Sequence, residues 1–291
     1  MRQQRGSGEA AARQQRGDGR RDDAPAPAPE PLAVAVADSH CHLDLVGDDV
    51  GAQLDAARAV GVRQVVTIGV DVATSQWSAQ VAGEHAGVHA GVAVHPNDVD
   101  RIGEDEYAEI ARLAALPQVR AVGETGLDYY RDWADPAKQQ ESFRRHIDIA
   151  KSAGKALVIH DRDAHDDVLR ILAEEGAPER TVMHCFSGDA EMARACADAG
   201  YVMSFAGNVT FASAQQLRAA AAVAPLDLLL VETDAPFLAP VPYRGRRNAS
   251  YLVPLTVRAL AEVKGVSVDE LAAAIAATTE RTFGSWSGPE A

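Results

Sequence analysis

Val119-Arg120-Ala121-Val122-Gly123-Glu124, the amphipathic stretch Pro136–Ala153 and Lys155-Ala156-Leu157-Val158-Ile159-His160 make one strand–helix–strand unit. Each strand is a short apolar run that gives out onto a carboxylate or an imidazole. Between them Phe143, Ile147 and Ala150 recur at the i, i+4, i+7 spacing of a helical stripe. The pattern continues in both directions. Apolar runs at Ala33–Ala37, Gln64–Val70, Gly87–Val94, Val119–Glu124, Lys155–His160, Arg180–His184, Tyr201–Phe205 and Leu228–Glu232 are separated by amphipathic segments. Those segments are Val50–Val60, Ala73–Glu84, Glu104–Leu116, Pro136–Ala153, Ala164–Glu175, Ala190–Ala199, Ser213–Ala222 and Leu252–Val263. Repeated units of this number over about 250 residues predict a single-domain (β/α)8 TIM barrel, whose strands all end at one mouth. A doubly wound open sheet shows the same alternation, but would not bring first and last strands together so readily.

The strand ends carry the chemistry. The first run leads into Asp38-Ser39-His40-Cys41-His42, and an H-x-H at a strand end aims both imidazoles to one face, as half of a metal site. Paired histidines also occur as ordinary polar residues. Later endings supply Glu124, His160, His184 and, within Glu232-Thr233-Asp234-Ala235-Pro236, Asp234, so that six potential ligands are due at one rim. Cys41, at the odd strand position, should turn away and pack. Glu232 shares the face of Asp234 one layer deeper, where it would support a ligand histidine or fill a barrel layer as a buried carboxylate. Arg162 leans toward the same pocket if the extended geometry continues past His160. Arg244 lies in the loop Tyr243-Arg244-Gly245-Arg246-Arg247-Asn248. Arginine's planar fork suits phosphate; the alternative is a solvated loop with surface salt bridges. His85, His89, His146 and His165 read as solvated or packed.

Composition agrees with one large core. The chain has 291 residues, 47% of them hydrophobic, and no run long enough to span a bilayer. Three cysteines without a C-x-x-C pair argue against a disulfide framework or zinc ribbon and favour a reducing, cytoplasmic compartment. A net charge of −14 counts against coating duplex DNA through a broad basic face, yet permits gripping a few phosphates beside bound cations. Residues 1–31 are a different material: Arg, Gln, Gly and acid as far as Asp23, then Ala24-Pro25-Ala26-Pro27-Ala28-Pro29-Glu30-Pro31. They predict a disordered arm before a barrel domain of residues 32–291. Asp22 and Asp23 follow Arg20-Arg21 where an apolar segment would be needed, which argues against a twin-arginine export signal.

Asp38-Ser39-His40-Cys41-His42-Leu43-Asp44, Gly123-Glu124-Thr125-Gly126-Leu127-Asp128, Val158-Ile159-His160-Asp161-Arg162-Asp163-Ala164, His184-Cys185-Phe186-Ser187-Gly188, Glu232–Pro236 and Arg244–Asn248 strongly resemble, in order, motifs of the TatD family of metal-dependent deoxyribonucleases. The resemblance runs from about Val34 to Phe283. It implies a TIM-barrel hydrolase of the amidohydrolase-like superfamily with two divalent ions, Mg, Mn or Zn. His40 and His42 would hold one ion with Asp234, Glu124 would bridge, and His160 and His184 would complete the second site. The implied activity is 3′→5′ exonuclease action on single-stranded DNA or RNA. A hydroxide activated by the metal pair would attack phosphorus, with Asp234 orienting it or taking its proton. His95, in Val94-His95-Pro96-Asn97, resembles the family's His-Pro step at the substrate side of the mouth; a structural histidine is the alternative. Two positions depart from the family pattern. Glu280 stands where Asn is usual ahead of Phe283, and Ala249-Ser250 replaces Glu-Pro after Asn248. Neither belongs to the ligand set. A hydrolase of small esters, amides or lactones is the competing function, because the same barrel hosts that chemistry. A non-catalytic binding barrel is disfavoured, since six pocket-facing polar side chains are costly unless metal satisfies them.

Overall fold

Near-continuous apolar strands are what a parallel sheet covered by helices requires, and all the expected strands form in a computed structural model that describes residues 24–47 and 49–285. Eight parallel strands follow chain order around the sheet: β1 (Val36–Cys41), β2 (Val62–Ile68), β3 (Val88–Val92), β4 (Val119–Asp128), β5 (Ala156–Arg162), β6 (Thr181–Met183), β7 (Val202–Phe205) and β8 (Leu229–Val231). The main helices are α1 (Val50–Ala59), α2 (Val72–Glu84), α3 (Glu104–Ala114), α4 (Pro136–Ala153), α5 (His165–Glu175), α6 (Ala190–Asp198), α7 (Gln215–Val223), α8 (Val253–Lys264) and α9 (Val268–Phe283). Helix α4 shows why the boundaries fall where they do. Asp135 accepts the Ala137 N–H with Pro136 in the first turn, and Gly154 ends the helix in the left-handed conformation. The expected (β/α)8 barrel is the observed fold.

Alternation along the strands divides the core. Val66 and Ile68, Ala121, Val158, Val182, Val202 and Leu230 fill the barrel interior. Leu157, Ile159 and Met183 face outward into a second cluster with Phe143 and Ile147 of α4. Phe283 joins the interior cluster from the end of α9, beside Thr282, whose carbonyl accepts from Arg180 just before β6. An aromatic side chain thus closes the floor, opposite the mouth. Helix α9 has no counterpart among the expected amphipathic segments. Its buried stripe includes Thr278, Thr279 and Thr282, whose hydroxyls bond carbonyls one turn back, so the apolar period is muted in the sequence.

Two strands run further than their hydropathy suggests. Strand β1 continues from the apolar run through His40 to Cys41. Strand β4 does not stop at Glu124: Val122 pairs with Leu157 and Thr125 with Ile159, so three steps on β4 match two on β5. This bulge reverses the inward–outward alternation and turns Glu124 into the barrel. Glycine is required around it. A Cβ on Gly123 would sit 2.5 Å from the Val158 carbonyl oxygen, and one on Gly126, at φ +134°, 2.1 Å from that of His160.

The barrel closes between β8 and β1 at its mouth end. The Asp234 N–H donates to the His40 carbonyl at 2.9 Å and the His42 N–H to that of Ala235 at 2.9 Å. Buried Asp38 accepts both the Thr233 N–H (2.9 Å) and its hydroxyl (2.6 Å), stitching the two strands with one carboxylate.

The last eight residues of the expected arm are described. Residues 24–31 have no regular helix or strand, but they lie against the barrel. Ala26 is buried, its carbonyl accepts the Tyr251 hydroxyl, and the Glu30 carbonyl accepts from Arg258. Polyproline-like chain has free carbonyls, and α8 and the turn before it supply donors for them. Residues 1–23, where the rest of the expected arm falls, lie outside the described residues. No helix among the described residues is long and apolar enough to cross a membrane.

His146 of α4 is packed, as one of the two expected alternatives had it. Its Nδ1 donates to the Ser142 carbonyl and its Nε2 accepts the Val94 N–H at 3.1 Å. Burial lowers its pKa from 6.5 to about 4. The unfolded chain therefore binds the extra proton first. The contribution of His146 is complete above pH 6.5 and is lost as pH falls through 4, a change of roughly 3 kcal/mol. Denaturant unfolding at pH 4.5 and 7 should show this loss in wild type and a clearly smaller one in His146→Gln; equal losses would contradict the assignment.

Candidate metal centre

Glu124 sits at the middle of the mouth, with only 5% of its surface exposed. Its two oxygens face different partners. Oε2 lies 3.6 Å from His40 Nε2 and 3.8 Å from His42 Nε2. Oε1 lies 2.7 Å from His160 Nδ1, 3.2 Å from His184 Nε2 and 3.5 Å from His95 Nε2. Asp234 approaches the first set only: its Oδ1 is 3.5 Å from His42 Nε2 and 3.9 Å from His40 Nε2. All six residues expected at the rim are brought together, from β1, β4, β5 and the ends of β6 and β8.

The backbone holds each donor in place. His40 ends the inward face of β1. His42 starts the next turn, where its Nδ1–H donates to the Ile68 carbonyl at 3.1 Å and leaves Nε2 toward the carboxylates. His184 Nδ1 meets Glu232 Oε1 at 2.8 Å, an oxygen that also accepts the Cys185 N–H at 3.0 Å. With Nδ1 on fully buried Glu232, His184 turns its Nε2 toward Glu124. Asp234 has φ +53°, a left-handed conformation that few residue types other than glycine adopt without strain, and the β8–β1 hydrogen bonds hold it there.

The donor set fits divalent cations. His40, His42 and Asp234 each bring a ligand atom within 4.8 Å of the others, as do His95, Glu124 and His160. Buried His40 has no hydrogen-bond partner at either ring nitrogen, a deficit that coordination would remove. Neutral imidazoles mixed with carboxylates are a borderline donor set of the kind zinc and manganese accept. A third grouping, His40, His184 and Glu232, is geometrically close. In that grouping Glu232 Oε1 is the oxygen that meets His184 and accepts the Cys185 amide. His95 belongs to the second grouping by position, but its ring is turned to donate rather than to coordinate. Its Nδ1 accepts the Asn97 N–H at 3.1 Å, so the neutral ring carries its proton on Nε2, facing Glu124.

Electrostatics point the same way. Burial pushes the His42 imidazole down, but its bond to Asp234 and the charges of Asp234 and Glu124 outweigh this and lift it to about 9. His160 likewise rises to about 9 against its burial, through Asp128 and Glu124. Burial would raise Glu124 and Asp234, yet the surrounding imidazoles hold both below the usual carboxylate range. Stacked on His184 with ring centroids 3.6 Å apart, His40 is pushed down by burial and by the charge on His184. The cluster carries protons that a divalent ion would displace, because ligands bind deprotonated.

Arg162 and Arg244 do not enter the cluster. The extended backbone does continue to Arg162, but its side chain is exposed with Cζ 4.0 Å from the Tyr130 ring centroid; that of Arg244 lies 4.4 Å from Phe211. Cys41 packs as expected, its thiol turned to the Val66 carbonyl. Three further residues shape the site. Asp38 fixes Thr233 and so the approach of Asp234. Asn248 is buried and donates to the Thr233 and Phe237 carbonyls. Asp128 spans His160 Nε2 (3.2 Å) and Asn97 on one oxygen and the turn amides of Tyr130 and Arg131 on the other. Each stands within a sequence motif, but nothing local says which distant strand or loop it bonds. Asp38→Ala should lower the unfolding free energy by about 2–4 kcal/mol by stranding the Thr233 amide and hydroxyl, and Asp38→Asn by distinctly less. Equal stability of wild type and Asp38→Ala in denaturant titrations would show that the stitch is not structural.

Comparisons with known proteins match this picture. A family model described as TatD related DNase matches residues 37–284. The chain is 44% identical over 258 residues to the metal-dependent hydrolase TatD of Mycobacterium tuberculosis, covering 85% of this chain and 97% of that protein. It is 41% identical over 241 residues to the metal-dependent hydrolase YcfH of Escherichia coli, covering 81% and 90%. Among solved structures, the TatD homologue YjjV of Escherichia coli superposes with a TM-score of 0.82 at 27% identity, over 86% of this chain and 98% of that one.

Proposed function

Since the chain belongs to the family of TatD-related DNases, metal-dependent hydrolases on a TIM barrel, we propose that it removes nucleotides from the 3′ end of single-stranded DNA or RNA through a two-metal centre. The observation that carries this reading is the division of the two oxygens of Glu124 between two sets of imidazoles. His40, His42 and Asp234 would hold one ion, His160 and His184 the other, with Glu124 shared. Two such ions, when bound, lower the pKa of water and offset the negative charge of a phosphodiester.

The chain's own groups do the rest. Asp234 keeps 17% of its side chain exposed against 6% for Glu124 and 1% for His40, so it is the carboxylate that faces incoming water. Held below its ordinary pKa, it is ionised at neutral pH and can orient a water or take its proton. His95 Nε2–H is placed to donate to a phosphoryl oxygen beside Glu124, while Glu232 keeps His184 from rotating. Arg162 and Arg244, on opposite sides of the mouth, meet phosphates further along the strand. The three unpaired cysteines suit a cytoplasmic setting.

Metal-loaded protein incubated with 3′- and 5′-labelled single strands should shorten them stepwise from the 3′ end. Asp234→Asn, which tolerates the left-handed backbone, should remain folded and lose at least about 100-fold in rate. Intact labelled strands, together with turnover of a lactone or ester panel, would replace the nuclease with a small-molecule hydrolase.

A further inference from the structure

The turn after β4 exposes an aromatic ring that the barrel has no packing reason to present. Tyr130 is 59% exposed, the most exposed of three large hydrophobic side chains on the surface among the described residues. It does not stand alone. The Arg162 guanidinium lies over its ring at 4.0 Å, and that of Arg131 lies 5.5 Å from the same ring and 4.6 Å from the ring of Trp133. Cations and rings therefore alternate along one side of the mouth, in a chain whose net charge is −14.

The turn is also anchored rather than loose. Asp128 Oδ1 accepts the Tyr130 and Arg131 amides, and its Oδ2 touches His160. Tyr129 donates its N–H to the Arg162 carbonyl and its hydroxyl to Asp167. One carboxylate thus ties the exposed ring to a candidate metal ligand.

We infer that Tyr130 and Arg162 form a stacking platform for one nucleobase of a single strand whose phosphodiester lies at the centre. Every base offers a flat face to a tyrosine–guanidinium pair, so this contact favours unpaired strands without selecting a sequence. Arg131 and Trp133 continue the platform outward. The inference rests on the nuclease reading above and adds to it the site that holds a base, where Arg162 was otherwise only a phosphate contact.

The test is the kinetics of the metal-loaded enzyme on short strands that carry one abasic position, moved stepwise from the 3′ end, for wild type, Tyr130→Ala and Tyr130→Phe. Wild type should show one position at which loss of the base raises KM about 5- to 100-fold, the range that base stacking spans, with kcat little changed. Tyr130→Ala should have that raised KM on the intact strand and no further penalty at that position; Tyr130→Phe should behave as wild type. Circular dichroism should show all three equally folded. A Tyr130→Ala enzyme with unchanged KM, or with the abasic penalty undiminished, overturns the platform while leaving the nuclease standing. Failure of wild type to shorten the intact strand overturns the nuclease reading itself, and the platform with it.

Discussion

A carboxylate buried among imidazoles is the constraint on which the mouth of this barrel is organised. Glu124 can stay ionised out of water only because histidines from four other strand ends surround it. Bringing them there requires a closed sheet, since His40 and His42 lie at the end of the chain's first strand and Asp234 follows its last. The bulge in β4 aims the carboxylate inward, and two glycines let β5 come close enough for His160 to reach it. The seam between β8 and β1 has few backbone bonds. Asp38 compensates there by holding Thr233 with both of its oxygens.

The two ends of the barrel are consequently different materials. At the floor, Phe283 and the aliphatic interior exclude water. At the mouth, several buried polar atoms have no hydrogen-bond partner, both ring nitrogens of His40 being the clearest case. Around that mouth the arginines collect on aromatic rings, Arg162 and Arg131 on one side, Arg244 and Arg246 on the other. On the function proposed above, an acidic protein with a cationic, aromatic rim would take a flexible polyanion at its mouth and not a rigid duplex across its whole surface.

Much of this is legible in the sequence, because strand ends and ligands coincide there. The apolar runs set the eight strands and the residues that close them give the six rim groups. What is not legible is long-range pairing. A two-residue period places Glu124 on the outer face, and only the register against β5 reveals the bulge. Asp38 reads as the polar head of a motif until Thr233, nearly two hundred positions away, is seen beside it. Helix α9 hides behind threonines that bond their own backbone. The alanine–proline stretch before the barrel has the same composition whether it is free or, as residues 24–31 show, laid against α8.

The central claim is that Glu124 is shared by two cations, and anomalous diffraction at the manganese or zinc edge tests it most directly. Crystals loaded with the metal should show two peaks, each about 2.0–2.2 Å from a different oxygen of Glu124, one beside His40, His42 and Asp234 and the other beside His160 and His184. A single peak, or two peaks neither of which touches Glu124, would contradict it.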